Sequence, residues 1–516
     1  MADVHQLEKL RSLGKLEQVS ASCHHLGFFN NVGVSVQYKR SESSSPAVTD
    51  LRGLIQAAAG YVVRKRRILF AIPVNEGAPD LYFASLPSID LNRTITFLDR
   101  SQPVACDAEG QDKELDAILE DQHNTDFKAE YGTLPFWRLI ILQSPGGTEF
   151  TASFIYHHAI GDGLSGLALH HAFRNALEAA PASSLPGYKV ENIIVPDENT
   201  SVLPPLEGLH PLPINPTPSH PPTSIIATLP REVVDNAIGT YFDATRVQFT
   251  RTDQTPPDSN VVDVLSGAQH ISNSINDYLG NVSPSGEPYT SVAVFKTIPD
   301  VSVVFNSMLG KPRDAAFEVT NVGLFSPATT PQTAEDARWQ VGDVLLSRSS
   351  AVPGAAVTGG NGNMALGFSW QEGVVEDGFM DNVRQGLATT AICLMARDRE
   401  SPSIPVKAQM LLSPMLDDRC ESVSDSQFEY GSPRCGVSNR TAWEHVLGEE
   451  RGVIGLRATR RRGEQRIWVI CHRRILMWGS VSIPGSGGVV RYEVVVGGST
   501  CEMHVGLGRC IGLMGG

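Results

Sequence analysis

Glu149-Phe150-Thr151-Ala152-Ser153-Phe154-Ile155-Tyr156-His157-His158-Ala159-Ile160-Gly161-Asp162-Gly163 is the stretch on which the reading of this chain turns. Phe150, Ala152, Phe154 and Tyr156 fall at every second position, the period of a half-buried strand. That strand runs directly into two histidines and a glycine-containing turn. Past the turn, Leu164, Leu167, Ala168 and His171 lie at helical spacing, so a helix is expected to start near Gly163 and to reach about Glu178. A strand that ends in histidine before a tight turn can aim an imidazole into a cleft.

Histidine titrates near neutrality and can take a proton from a hydroxyl or an amine. Asp162 lies four residues after His158. It is expected to fold back and hold the turn, paired with an Arg or a backbone N–H, rather than to do chemistry. Gly161 and Gly163 permit the tight path. On spacing alone the His-His pair with Asp162 fits a base, a satisfied structural cluster or a weak metal site equally. His157 is expected to pack or hydrogen-bond and not to act as a second base. Tyr156 is expected in the core.

Working outward, Phe136–Leu142 reads as the preceding strand, separated by the turn residues Ser144-Pro145-Gly146-Gly147. Leu51–Lys65 has helical periodicity and Arg67–Val74 reads as an apolar strand. The N-terminus, Met1–Glu17, is charged and helix-like and has no signal-peptide apolar core. Eight prolines between Pro204 and Pro222 mark a linker that should hold neither a helix nor a central strand. Beyond it, a helix is expected near Val262–Leu279 and strands near Ser302–Asn306, Phe317–Asn321 and Met364–Trp370. The fold class is therefore α/β.

The 516 residues carry 42 Lys plus Arg against 56 Asp plus Glu, a formal net charge of −14. That balance argues against a general nucleic-acid binder. The charge is uneven: Arg451–Gly516 holds 10 Arg, no Lys and 3 Glu, or +7, which leaves −21 on residues 1–450. Cys23 and Cys106 are the only cysteines before Cys393, which points to a reducing compartment and a cytoplasmic address. No CxxC or HExxH pair is present, so no metal is expected, and no apolar run of membrane-spanning length occurs.

His157-His158-Ala159-Ile160-Gly161-Asp162-Gly163 resembles the HHxxxDG signature of the CoA-dependent acyltransferase superfamily, to which chloramphenicol acetyltransferase, plant BAHD acyltransferases and peptide-synthetase condensation domains belong. Within it the chain is most similar to the fungal alcohol acetyltransferase family. Leu10–Glu17, His24-His25-Leu26-Gly27-Phe28 and Pro135-Phe136-Trp137-Arg138-Leu139 look like that family's N-terminal segments. Gly239-Thr240-Tyr241-Phe242, Asn321-Val322-Gly323 and Ser369-Trp370-Gln371-Glu372-Gly373 look like its later ones. The resemblance covers roughly residues 8–385.

It implies a two-lobed chloramphenicol-acetyltransferase-like fold of α+β two-layer sandwich lobes, with a solvent channel between the lobes. It implies His158 as general base, Asp162 as loop organiser, and acetyl-CoA as co-substrate with no permanently bound cofactor. Transfer to an alcohol would be direct, in a ternary complex and without an acyl-enzyme. The partners implied are a small alcohol and an acyl-CoA, acting on a monomer. Asn321–Gly323 reads equally well as a strand-end turn.

The expected domains are residues 1–203 (first lobe), 204–222 (linker), 223–385 (second lobe), 386–450 and 451–516. The second lobe is shortened: Pro222 lies only 17 residues from Gly239, where the family places a helix and a strand. Residues 386–450 resemble a fragment of a hormone-sensitive-lipase-like α/β-hydrolase, but no G-x-S-x-G elbow occurs in the chain. The basic, Gly-rich tail 451–516 reads as disordered or as the product of a misplaced exon boundary. Two further functional readings stand beside acyl transfer: a catalytically impaired acyltransferase-like binding protein, and an α/β-hydrolase-type esterase.

Overall fold

The computed structural model of the protein describes residues 3–41, 50–101, 112–179, 191–214, 237–242, 262–287, 289–311, 318–325, 337–349, 354–360 and 363–371, residues 375 and 378, and five later strands. The strands are β1 (Glu8–Ser12), β2 (Val32–Arg40), β3 (Ala71–Val74), β4 (Tyr82–Ser85), β5 (Ile89–Asp90), β6 (Ile95–Asp99), β7 (Trp137–Gln143), β8 (Glu149–Tyr156), β9 (Ile193–Ile194), β10 (Val262–Asp263), β11 (Glu318–Phe325), β12 (Trp339–Arg348), β13 (Gly354–Gly360), β14 (Asn363–Gln371), β15 (Arg440–Val446) and β16 (Ile454–Arg462). Ile475–Val481, Val490–Val496 and His504–Val505 are also strands. The helices are α1 (Lys15–His25), α2 (Leu51–Arg64), α3 (Leu91–Thr94), α4 (Lys113–Asn124), α5 (Gly163–Ala179), α6 (Leu206–Leu209), α7 (Val264–Gly280) and α8 (Val301–Met308).

Two mixed five-stranded sheets organise these elements. The first runs β12-β2-β8-β7-β6, with β6 and β7 parallel and the other neighbours antiparallel. Alternation along β8 does what the sequence requires. Phe150, Ala152, Phe154 and Tyr156 join Val34, Val36 and Tyr38 of β2 on one face, packed with Ile55 and Ala58 of α2 and Phe173 and Leu177 of α5. Ile155 points to the other face, where Leu115 and Leu119 of α4 pack with Phe127, Phe136 and Leu345. The second sheet runs β11-β13-β14-β16-β15.

β12 comes from the C-terminal side of the proline-rich segment, yet it pairs with β2 from Trp339↔Arg40 to Arg348↔Val32. The later chain thus closes the sheet that carries the histidine motif. Against it, a Cβ on Gly367 of β14 would lie 2.6 Å from the Leu346 carbonyl oxygen of β12, so that crossing requires glycine.

Several expected elements differ from the structure. The N-terminal segment is not a helix through Glu17. It is a short 3₁₀ turn, then β1 paired with β4, and the helix begins only at Lys15. Glu17 folds back to accept the Gly14 N–H at 2.7 Å and takes a two-pronged hydrogen bond from Arg11, which together fix that start. Arg67–Phe70 is a 3₁₀ turn and only Ala71–Val74 is strand. Ser302–Asn306 is not a strand but part of α8. Its start is set by Asp300, whose carboxylate accepts the Ser302 N–H at 2.9 Å. Inside the proline-rich segment, Leu206–Leu209 forms one helical turn directly after Pro205, where proline is tolerated. Leu206, Leu212, Ala237 and Tyr241 then share a small core with Leu16.

Among the described residues no helix is long and apolar enough to cross a membrane. Of the hydrolase-like stretch 386–450, only Arg440–Val446 is described. The tail 451–516 is described only in its strands, and the remainder of both lies outside the described residues. So do 215–236 and 243–261, which hold most of the stretch flanking Gly239.

Candidate active site

β8 ends at Tyr156, and the next residue stays tied to the sheet: the His157 N–H donates to the carbonyl of Phe136, just before β7, at 2.9 Å. The turn then delivers Asp162 to the start of α5. There Asp162 Oδ1 accepts the Ser165 N–H at 3.0 Å, as an N-terminal cap does. Asp162 Oδ2 accepts the Tyr241 N–H at 3.0 Å, and the Asp162 N–H donates to the Gly239 carbonyl at 3.1 Å. The partners of this carboxylate are thus backbone N–H groups and the Ser165 hydroxyl. No arginine pairs with it among the described residues. The Tyr156 hydroxyl donates to the Asp162 carbonyl, so Tyr156 is core and turn support together.

The segment 237–242 is therefore stapled onto the motif turn. Thr240 adds the most specific contact, since its Oγ1 lies 2.8 Å from the His158 carbonyl and 3.1 Å from that of Ala159. From another direction β11 crosses the turn. A Cβ on Gly163 would meet Val322 Cγ1 at 2.4 Å, which explains glycine at the end of the motif. Asn321-Val322-Gly323 is an irregular point within β11. Gly323 has φ +74° and donates its N–H to Asn321 Oδ1 at 2.8 Å.

His158 sits half-buried between the rings of Phe29 and Phe242, with centroids 5.7 and 5.2 Å away. Its Nδ1 is enclosed with no hydrogen-bond partner among the described residues. Burial lowers the proton affinity of the ring. The residue's own carbonyl and Asp162 oppose that, Arg348 adds to it, and Glu318 opposes it again. The net result is an imidazole that is neutral at pH 7. Arg348 and Glu318 pair at 2.6 Å across the junction of β12 and β11.

His157 points the other way, into a buried cluster. Its Nε2 lies 3.1 Å from Glu76 Oε1, and His24 Nδ1 lies 3.1 Å from the same oxygen. The Lys128 ammonium reaches Glu76 Oε2 at 2.9 Å. Burial pushes the His157 pKa down to about 4, reinforced by His24 and opposed by Glu76. His24, Glu76 and His157 each offer one potential metal-ligand atom, all within 4.8 Å of one another. The Ala159 N–H donates to His157 Nδ1 at 2.9 Å, and His157 Nε2, His24 Nδ1 and the Lys128 ammonium converge on the Glu76 carboxylate.

The motif residues His158 and Asp162 were found from sequence because they are contiguous. Glu76, Lys128, Ser165 and Thr240 were not. For Glu76 and Lys128 no sequence signal exists, because each is an isolated residue in a turn. Thr240 lies in a segment singled out by resemblance, and that was the available clue.

Comparison with known proteins bears on the same residues. A family model for alcohol acetyltransferases matches residues 108–276. A probable alcohol acetyltransferase of Aspergillus fumigatus, crmB, is 58% identical over 455 residues, covering 73% of this chain and 98% of that protein. Because 73% of 516 residues is fewer than the 455 aligned positions, the relative carries segments that this chain lacks. Among solved structures, the TRI3 trichothecene 15-O-acetyltransferase of Fusarium sporotrichioides is 11% identical, with TM-score 0.46, over 68% of this chain and 88% of that one. The first condensation domain of the calcium-dependent antibiotic synthetase is 13% identical, with TM-score 0.27, over 34% of this chain and 41% of that one.

Proposed function

We infer the reaction from one premise: the chain belongs to the alcohol acetyltransferase family. It transfers an acetyl or short acyl group from acyl-CoA to an alcohol. His158 Nε2 takes the proton of the alcohol as its oxygen attacks the thioester carbonyl carbon. The tetrahedral adduct then collapses, the C–S bond breaks, and the proton passes to the CoA sulfur, leaving an ester and free CoA. No side chain is acylated. Asp162 does not touch substrate; it holds the turn through Ser165 and Tyr241, and Thr240 fixes the backbone of His158 itself.

The feature that carries this reading is the setting of His158: burial pushes its ring toward the neutral form, no described residue hydrogen-bonds its Nε2, and it is held between two aromatic rings at the end of a sheet strand. Holding alcohol and thioester together is worth up to about 7–11 kcal/mol of barrier. The base supplies about 10²–10⁴-fold more. The test is to incubate the full chain with acetyl-CoA and a series of alcohols and to measure ester and free thiol. His158→Ala should lose about 10²–10⁴-fold in kcat with its circular dichroism unchanged. Ester formation that survives this substitution intact contradicts the assignment.

A second reading rests on the segments present in the Aspergillus relative and missing here. If they complete the acceptor channel, the chain binds acyl-CoA without turning it over. Calorimetry that shows CoA binding, with no ester from any alcohol, selects this alternative. The cytosolic address expected from cysteine usage, and a monomeric state, belong to the same proposal, and gel filtration reads the second of them.

A further inference from the structure

The buried carboxylate behind the motif has no part in the chemistry just described. Glu76 follows Asn75, which holds a left-handed backbone at φ 66° at the end of β3. Asparagine tolerates that conformation better than most residues, and here it turns the next side chain inward. Glu76 is consequently only 7% exposed. Burial alone would push its carboxyl up, but hydrogen bonds and charge from His157 and His24 outweigh this and hold it below the usual range.

Donor accounting places the protons that face Glu76. The Ala159 N–H donates to His157 Nδ1, so that nitrogen carries no proton in the neutral ring, and the proton must sit on Nε2. His157 Nε2–H then donates to Glu76 Oε1. A carboxylate only accepts, so His24 Nδ1 is also protonated toward it, and the Lys128 ammonium meets the other oxygen. Reversing the tautomer of His157 would set a proton against the Ala159 N–H and turn a bare ring nitrogen toward the Glu76 carboxylate, which would keep only its His24 and Lys128 donors. The Ala159 amide belongs to the peptide that leaves His158, and Thr240 Oγ1 holds the carbonyl of that same peptide. The peptide joining His158 to Ala159 is therefore gripped from both ends.

We propose that Glu76, backed by Lys128 and His24, is a positioning residue that locks the tautomer of His157 and, through the Ala159 amide, fixes the orientation of His158. This rests on the reading of His158 as the base. Glu76 touches no substrate. In this arrangement the first histidine of the motif is the link between a charged cluster under the sheet and the reacting ring above it.

The test uses the full chain with Glu76→Gln and Glu76→Asp, together with ¹⁵N-labelled histidine. A glutamine amide presents a donor where two imidazole N–H groups and an ammonium already converge. Glu76→Gln should lower kcat by about 10- to 100-fold, the scale on which hydrogen-bond partners that orient a metal-binding histidine act. KM for acyl-CoA and alcohol should stay within about 3-fold, because no interaction with bound substrate is lost. Glu76→Asp keeps the charge and should recover part of kcat; a purely packing role would not distinguish Asp from Gln in this way. In the unsubstituted protein the histidine spectra should show His157 protonated at Nε2 and bare at Nδ1.

A folded Glu76→Gln protein with unchanged kcat overturns the proposal, as does His157 protonated at Nδ1. Stoichiometric bound zinc would overturn it too, since a cation would replace these protons. If Glu76→Gln does not fold, the tautomer in the unsubstituted protein still decides. If the protein makes no ester at all, the reaction assigned above fails while the tautomer measurement still judges this cluster.

Discussion

His157 and His158 are neighbours in sequence and opposites in environment. One is fully buried against a carboxylate, and the other is half-buried between two aromatic rings. Both are pushed toward the neutral form, His157 to about 4 and His158 below its ordinary value of 6.5, with burial the main cause in each. For His158 the consequence lies in the rate. With His158 as the proposed base, protonation removes the acceptor, so kcat/KM should be flat through neutral pH and fall only below about 6.5, the ordinary histidine value. A pH–rate profile checks this, and an acid limb above pH 7 would show that a different group is titrating. Residue identity made the motif legible, because its members lie within seven positions. Its supports are not legible: Glu76 lies 81 residues before His157, and Thr240 lies 82 after His158.

Elements were readable wherever period and burial agreed. β8 has the predicted bounds, and α5 starts at Gly163 as the spacing of Leu164, Leu167 and Ala168 requires. α8 was misread because Val301-Ser302-Val303-Val304-Phe305 is rich in β-branched and aromatic residues, whose preference for strands is a matter of context. The cap at Asp300 decided otherwise, a local signal that outweighed composition. The contact between elements that matters most is α5 under β11. Gly163→Ala would drive a methyl into Val322 at 2.4 Å, so one element must shift. The expected outcome is a loss of about 1–3 kcal/mol in stability, read by urea titration, with kcat falling as the motif turn moves. A variant as stable and as active as the original would show that β11 does not press on the turn.

At the scale of the molecule, the acid response should be set by buried histidines. His157 and His170 are both lowered to about 4, His170 first by burial and against a hydrogen bond to the Val34 carbonyl at 2.9 Å. In the unfolded chain they titrate near 6.5, so between about 6.5 and 4 the unfolded state binds more protons. Stability must then fall as pH drops through that window, by roughly 3 kcal/mol for each histidine. Glu76, held below its usual range in the fold, extends the loss below about 4.5. Thermal midpoints at pH 7, 6 and 5 should decline in that order, and a midpoint that is level from 7 to 5 would contradict it. Sequence by itself determined the α/β class, the strand–turn–helix that presents His158, and the family resemblance, because periodicity and contiguous motifs are local properties of the chain. Only the tertiary structure decided that β12 closes the first sheet, that residues 239–241 staple the turn, and that Glu76 sits behind His157. Each of these joins residues far apart in sequence, through backbone pairing or burial that no local pattern encodes.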